Sequence, residues 1–386
     1  MDDFFKSFRL AIEAIAMPEK IELDAWKSSV PDTENREVID KLVKQFGLSK
    51  FTDIERKYFD NRFFSRNIMT AHRDFNLVME RIKQKKPFIQ MTGIACSGPL
   101  HLGHKVDTDV FLMFKSHGAR SYFGVADIDG YVSRPDEKVP SLESAKKTAV
   151  DNTADLLALG IDEKDIYVQS RKEPRYYEFA FELSKKMTFN SLFAIYGDEY
   201  NPGKHSANLL QYADMLHQQL NEYNGPMPSL TCIGLDQDPH ARAARDIAAK
   251  LPYNFFMPSF GFFTFQPSLQ LNRKMSSSEP DSTIMLTDTP EAVRKKIKNA
   301  FSGGRDTLAE HRKLGGVPEI DRSFQILRYH HPNDKFVNDV HDKFKSGEVT
   351  SGELKEIVID FVNEMLKKHQ EKRKKVLKTA EKIVLG

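Results

Sequence analysis

One stretch, Pro87–Asp129, limits what this chain can fold into more than any other. It opens with PFIQMTG, a short apolar run ending at Gly93, which reads as a buried strand. After a turn comes HLGHKVDTDVFLMFKSHG. Its Leu102, Val106, Val110, Phe111, Met113 and Phe114 recur at helical spacing, and Gly118 is placed to cap the C-terminus. ARSYFGVADID then reads as a second strand. Strand, helix, strand at that spacing is a βαβ unit, which joins parallel strands by a right-handed crossover.

A second α/β passage lies further on. SLTCIGL, Ser229–Leu235, reads as a strand and DQDPHARAARDIAAKL as a helix, with Asp238 as N-cap and Pro239 in the first helical position. Residues about 170–225 between the two passages are helix-like, and nothing after about Pro290 reads as a strand. Residues before about 85 are rich in charge and Phe, with helical patterns at Asn35–Gln45 and Asp74–Lys83. A chain of 386 residues also outgrows a single core. The expected organisation is an N-terminal appended region over 1–85 and an α/β domain with a Rossmann-like parallel sheet over 86–290. A helical insertion at about 170–225 interrupts that domain, and an all-helical domain covers 291–386.

Composition narrows the functional classes. Apolar residues at 40% with 29% charged describe a globular protein, and a net charge of +2 does not by itself announce nucleic acid. Cys96 and Cys232 are too few for a disulfide framework or a four-cysteine zinc site, so a reducing compartment is expected and no metal site is assigned. The opening MDDFFKSFRLAIEAIA is unlike a secretory signal, and no apolar run approaches the ~18 residues of a membrane span. A soluble, cytoplasmic protein is the expectation.

Two motifs carry chemistry. GPLHLGH, Gly98–His104, lies between a strand's C-terminal end and a helix N-terminus, where open α/β sheets bind ligands and backbone N–H groups favour anions. Gly103 leaves room for a ligand against the backbone. His101 and His104 are one helical turn apart and can donate to charge that grows on a phosphate. Lys274-Met275-Ser276-Ser277-Ser278 suits a mobile loop closing over a phosphate chain, Lys as point charge and Ser as donors. Each motif alone also reads as a solvated turn or loop; in this order around one α/β domain they suggest a single nucleotide site. In Gly234-Leu235-Asp236-Gln237-Asp238, at the end of the second predicted strand, the Asp236 carboxylate is a candidate to face a ribose, and Gln237 is a further site candidate.

Together these residues resemble the class I aminoacyl-tRNA synthetases, and among them the tryptophanyl enzymes of the archaeal and eukaryotic type. HLGH and KMSSS carry the class. GLDQDPHARAARDIA and AFSGGRDTLAEHRKLGG (Ala300–Gly316) carry the tryptophan resemblance, with LDAWKSS, RNIMTAHRDFN (Arg66–Asn76) and the tail MLKKHQEKRKK similar as well. The resemblance spans nearly the whole chain. It implies ATP-dependent activation of L-tryptophan to an adenylate, with Mg²⁺ accompanying ATP, then transfer to tRNA(Trp). His101, His104, Lys274 and Ser276–Ser278 would act on the phosphates, and Gly98, Gly103, Gly234, Asp236 and Met275 would line the ATP site. The family also implies a homodimer, a catalytic role for the α/β domain and anticodon binding by the helical one.

For tryptophan the resemblance points to Met91, Gly124, Asp129, Gln211 and Gln237. Gln211 and Gln237 match family glutamines near the amino and carboxyl groups, and Asp129 falls where a family Glu binds the ammonium. Met91 and Gly124 stand where eukaryotic members carry a Tyr and a Gln that contact the indole, so the partner of the indole N–H has no name in the sequence. Arg305 and Asp306 match an anticodon-contacting pair, Arg by stacking or fork donation and Asp by accepting from a base amino group. The basic run Lys367–Lys375 reads as a solvated face, and Trp26 as a packing residue. A tyrosyl-tRNA synthetase and a catalytically inactive RNA-binding relative remain the alternatives.

Overall fold

The computed structural model describes residues 36–197, 201–223, 225–271 and 274–386; Trp26, the LDAWKSS segment and Arg273 lie outside the described residues. Helices α1 (Arg36–Phe46), α2 (Asp53–Phe59), α3 (Arg62–Ser65) and α4 (Asn76–Lys83) alternate with strands β1 (Ser49–Lys50) and β2 (Met69–Arg73). The βαβ unit follows as β3 (Phe88–Ala95), α5 (Leu102–Ser116) and β4 (Ala119–Ala126). Then come α6 (Asp127–Val132), α7 (Leu142–Leu159), β5 (Ile166–Val168), α8 (Pro174–Ser184), α9 (Phe189–Tyr196) and α10 (Pro202–Leu216). β6 (Ser229–Gly234), α11 (Asp238–Ala248) and β7 (Ser259–Phe263) complete the sheet. The remaining helices are α12 (Pro290–Lys298), α13 (Leu308–Leu314), α14 (Arg322–His330), α15 (Asp334–Ser346) and α16 (Ser351–Leu385).

The seven described strands form one sheet in the order β1-β2-β7-β6-β3-β4-β5. The five strands β7-β6-β3-β4-β5 are parallel, as a βαβ reading requires, while β2 runs antiparallel to β7 and β1 to β2. The sheet is therefore mixed: the stretch before residue 85 adds two antiparallel strands to its edge. Alternation across β3 sets the two faces. Gln90 donates to the Phe111 carbonyl on α5, whereas Met91 packs among Leu209, Leu210 and Ala213 of α10.

The start of α11 differs from the sequence expectation. Asp238 does not cap it: Gln237 occupies the N-cap position without a side-chain cap bond, and Asp238 is already helical. Its buried carboxylate is paired with Arg73 at 2.7 Å and Arg242 at 3.0 Å, tying β2 to the helix. Helix α16 is 35 residues long, about 52 Å, and its Leu354, Val358, Val362 and Leu366 share one apolar cluster with Val125 of β4 and Leu156 of α7. The buried His369 on α16 meets Asp155 of α7 at 2.9 Å.

Candidate functional site

His101 is the N-cap of α5, held in extended backbone at φ −130° and ψ 175°. Its Nδ1 accepts from the Gly103 N–H at 3.1 Å, and the Nδ1 of His104 accepts from the His101 N–H at 3.3 Å. The pair thus forms a capping box from two imidazoles, ring centroids 4.0 Å apart. An Nδ1 that accepts leaves the proton on Nε2, so each ring keeps a donor for a ligand. Burial holds His101 well below its ordinary pKa, with His104 and Lys274 adding repulsion, and burial holds His104 at about 4. Both rings are uncharged near neutrality and act as hydrogen-bond donors rather than cations. Gly103 is small for a local reason: an added Cβ would stand 2.9 Å from the His101 ring.

The late motif folds back onto this turn. Leu102 N–H donates to the Ile284 carbonyl at 3.1 Å and Leu286 N–H to the Leu100 carbonyl at 2.9 Å, so the segment just after the serines is stitched to the histidine turn. A Cβ on Gly98 would lie 2.9 Å from the Ser277 hydroxyl. Met275 is buried, and the Ser276 N–H donates to Thr283 Oγ1 at 3.1 Å. Lys274 Nζ meets Asp236 Oδ2 at 2.9 Å and stands 5.2 Å from the centre of the Phe265 ring. Phe265 explains Gly234, since an added Cβ would fall 2.2 Å from that ring. Burial raises the Asp236 carboxyl and Lys274 opposes the rise. Its Oδ1 is buried with no hydrogen-bond partner among the described residues, and so has acceptor capacity to spare.

Residues far apart in sequence assemble beside β3 and β4. Gly93 and Gly124 are register partners, and a Cβ on Gly124 would meet the Tyr167 hydroxyl at 2.8 Å. Tyr167 crosses from β5 and donates to Asp214 Oδ1 at 2.8 Å; Tyr176 donates to the same oxygen at 2.6 Å. Gln169 Nε2 donates to Asp214 Oδ2 at 2.7 Å while its Oε1 accepts from the Asp129 N–H at 3.0 Å. Asp214 is 5% exposed, and burial pushes its pKa up to about 6 against the opposing hydrogen bonds. Gln211 lies one turn before Asp214 on α10; Gln211, Gln237 and Asp129 are all half-buried. Burial also raises the Asp129 carboxyl, with Arg134 opposing.

The fold thus brings His101, His104, Gly98, Gly103, Gly234, Asp236 and Lys274–Ser278 to one edge of the sheet, and sets Met91 and Gly124 on adjacent strands near Asp214. Arg305 and Asp306 stand elsewhere, exposed on the turn before α13, with Arg305 Nε donating to the Gly315 carbonyl at 2.9 Å. Sequence reasoning missed Tyr167, Gln169, Tyr176 and Asp214. The available signal was Asp214 itself, a carboxylate inside the apolar run of NLLQYADML.

Comparison with known proteins bears on this arrangement. A family model described as tRNA synthetases class I (W and Y) matches residues 83–367. The tryptophan–tRNA ligase of Methanocaldococcus jannaschii is 36% identical over 379 residues, covering 95% of this chain and 99% of the relative. The crystal structure of tryptophanyl-tRNA synthetase from Aeropyrum pernix superposes with a TM-score of 0.84 at 34% identity, covering 90% of this chain and 96% of that one. A tryptophanyl-tRNA synthetase from Encephalitozoon cuniculi bound to tryptophan gives a TM-score of 0.77 at 28% identity, covering 93% and 98%.

Proposed function

The chain belongs to the class I tRNA synthetases of the tryptophan and tyrosine group, and from that membership we propose that it activates L-tryptophan with ATP and transfers it to tRNA(Trp). The observation that carries the reading is the stitched pair of motifs, His101–His104 and Lys274–Ser278, at the carboxyl edge of a parallel sheet beside a buried carboxylate network.

In the first step a tryptophan carboxylate oxygen bonds to the α-phosphorus of ATP, the bond from that phosphorus to the bridging oxygen breaks, and pyrophosphate leaves. The neutral imidazoles of His101 and His104 donate Nε2–H bonds to the phosphate oxygens as charge shifts onto them, without a proton changing hands. Lys274 exchanges Asp236 for the departing phosphates, and the serines follow as the loop closes. Asp236, freed of Lys274, accepts from ribose hydroxyls with Gly234 beside it. Mg²⁺ would arrive with ATP and would add to the neutralisation of phosphate charge; among the described residues no group of three or more His, Cys, Asp or Glu side chains stands together as a metal cage. In the second step the terminal adenosine hydroxyl of tRNA attacks the activated carbonyl and AMP leaves.

The indole N–H bonds to Asp214, which the Tyr167 hydroxyl links to the strand at Gly124 and which supplies what the missing strand side chain does not. An unpaired N–H in an apolar slot weakens binding, so this acceptor sets the preference for tryptophan over Phe. Gln211 and Gln237 hold the amino and carboxyl groups, and Asp129 takes the ammonium. Residues 291–386 carry anticodon recognition, with Arg305 and Asp306 at the exposed turn. A cytoplasmic homodimer, as the resemblance implies, completes the proposal. Among the described residues no helix is long and apolar enough to cross a membrane.

The test is ATP–pyrophosphate exchange with each of the twenty amino acids. Exchange with tryptophan alone is expected. Exchange with tyrosine would move the chain to the sister specificity, and exchange with none would refute an activating enzyme.

A further inference from the structure

The residues assigned so far leave a charge deficit around the phosphates. His101 and His104 are uncharged near neutrality because burial lowers both. Lys274 is paired with Asp236, so their charges cancel. Two more lysines are also committed: Lys105, on the same helix as the histidines, meets Asp109 at 2.6 Å and shares it with Arg62, and Lys296 of α12 meets Asp288 at 2.7 Å. A polyphosphate binding among these groups would meet donors but little net positive charge. Pyrophosphate leaving with its full charge needs more.

A cation from outside the assigned set reaches the loop. The segment Ser133–Ser141 joins α6 to α7, and in it Lys138 Nζ donates to the Ser278 hydroxyl at 2.8 Å. Lys138 makes no ion pair among the described residues, although Asp136 and Glu137 precede it in the chain. Its placement is built rather than incidental. Ser133 and Val139 on either side are buried, the Ser133 hydroxyl donates to the Asp129 carbonyl at 2.7 Å, and the Lys138 and Val139 N–H groups both turn back to the Pro135 carbonyl. Arg134 lies in the same segment, and burial together with Arg134 lowers the Lys138 pKa. Arg134 bonds to the Ser133 hydroxyl and its charge acts on Asp129, so the cation that faces the serine-rich loop is Lys138, and an anion there would be stabilised by it.

We propose that Lys138 is a further phosphate-binding residue: the second cation of the clamp on the triphosphate tail and the leaving pyrophosphate, reaching the Lys274–Ser278 loop at Ser278. This rests on the ATP-dependent reaction proposed above and adds a residue to it. Lys274 and Lys138 then flank the loop, and the segment after Asp129 connects the ammonium end of tryptophan to the pyrophosphate end of ATP.

The variant Lys138→Gln keeps the length of the side chain and removes its charge. Two measurements on the full chain test it: calorimetric binding of inorganic pyrophosphate, and tryptophan-dependent ATP–pyrophosphate exchange. Pyrophosphate affinity is expected to fall about ten- to hundredfold, the range for losing a hydrogen bond to a charged group. The KM values for ATP and pyrophosphate should rise with it, that for tryptophan should not, and Lys138→Arg should recover most of the loss. Pyrophosphate affinity unchanged in Lys138→Gln overturns the proposal. So does a loss shared by the tryptophan KM and the melting temperature that Arg does not rescue, because that pattern marks a structural role. If the unmodified chain exchanges with no amino acid while pyrophosphate binding still depends on Lys138, the reaction reading fails and the anion site stands.

Discussion

Replacing Asp214 with Asn removes one charge and almost no volume from a carboxyl that is 5% exposed. Burial raises its pKa from 3.8 to about 6. A folded-state pKa above the unfolded one means that the folded chain holds this proton more tightly. The group therefore favours folding while protonated, and the contribution is lost as pH rises from about 4 through about 6. That difference corresponds to about 3 kcal/mol. Asn cannot ionise, so its stability relative to the unmodified chain should move by about 3 kcal/mol in its favour between about pH 4 and pH 7. A fixed offset opposes this gain. The tyrosine hydroxyls keep the amide oxygen, but Gln169, whose Oε1 is bound to the Asp129 N–H, would set its Nε2 against the new NH₂. Such a mismatch costs about 1–2 kcal/mol at every pH. Urea denaturation across that pH range separates the two effects. Activity should move the other way: kcat/KM for tryptophan falls about ten- to hundredfold, and an analogue with sulfur in place of the indole N–H loses much less. A stability difference independent of pH would refute the buried-carboxylate reasoning. Equal losses on tryptophan and the sulfur analogue would remove Asp214 from the indole.

Three further outcomes follow from the site. Lys274→Ala should lower tryptophan-dependent exchange by about a hundredfold or more while tRNA affinity, measured by filter binding, stays within about twofold. Gly124→Ala puts a methyl 2.8 Å from the Tyr167 hydroxyl; it should break the Tyr167–Asp214 bond, cost about 0.5–1.5 kcal/mol in thermal denaturation and raise the KM for tryptophan. Arg305→Ala should reduce tRNA charging about tenfold or more with exchange unchanged, because Arg305 is exposed and bonds to the Gly315 carbonyl within the helical region rather than to the nucleotide motifs.

Local physics wrote much of this protein into its sequence. The βαβ unit was legible because a short apolar run ending in glycine, a segment with apolar residues at helical spacing closed by Gly118, and a second apolar stretch follow one another at the spacing of a crossover. HLGH and KMSSS were legible as anion-competent segments because small residues, imidazoles and a lysine in that order have few other uses. Strands β2, β5 and β7 were not. MTAHR is buried without clean alternation, IYV is three residues long, and SFGFF is apolar on both faces, so none carries a period that distinguishes strand from helix. Asp238 departs from expectation for a related reason: a carboxylate before Pro at a helix start satisfies the local rule for a cap, but Arg73, from a strand 165 residues away, and Arg242, one turn on, claim it instead.

What the tertiary structure decided is which groups meet. Residues Tyr167, Gln169, Tyr176 and Asp214 come from β5, the turn after it, α8 and α10, and each alone looks like an ordinary polar residue. The sheet register sets Tyr167 beside Gly124, and the fold of the helical insertion brings Asp214 to its hydroxyl. Lys138 gains its meaning in the same way, from Ser278, 140 residues further along the chain. Sequence periodicity reports how a segment buries its own apolar face. The partner of a buried polar group depends on which segments that burial brings together, and no local pattern holds that information.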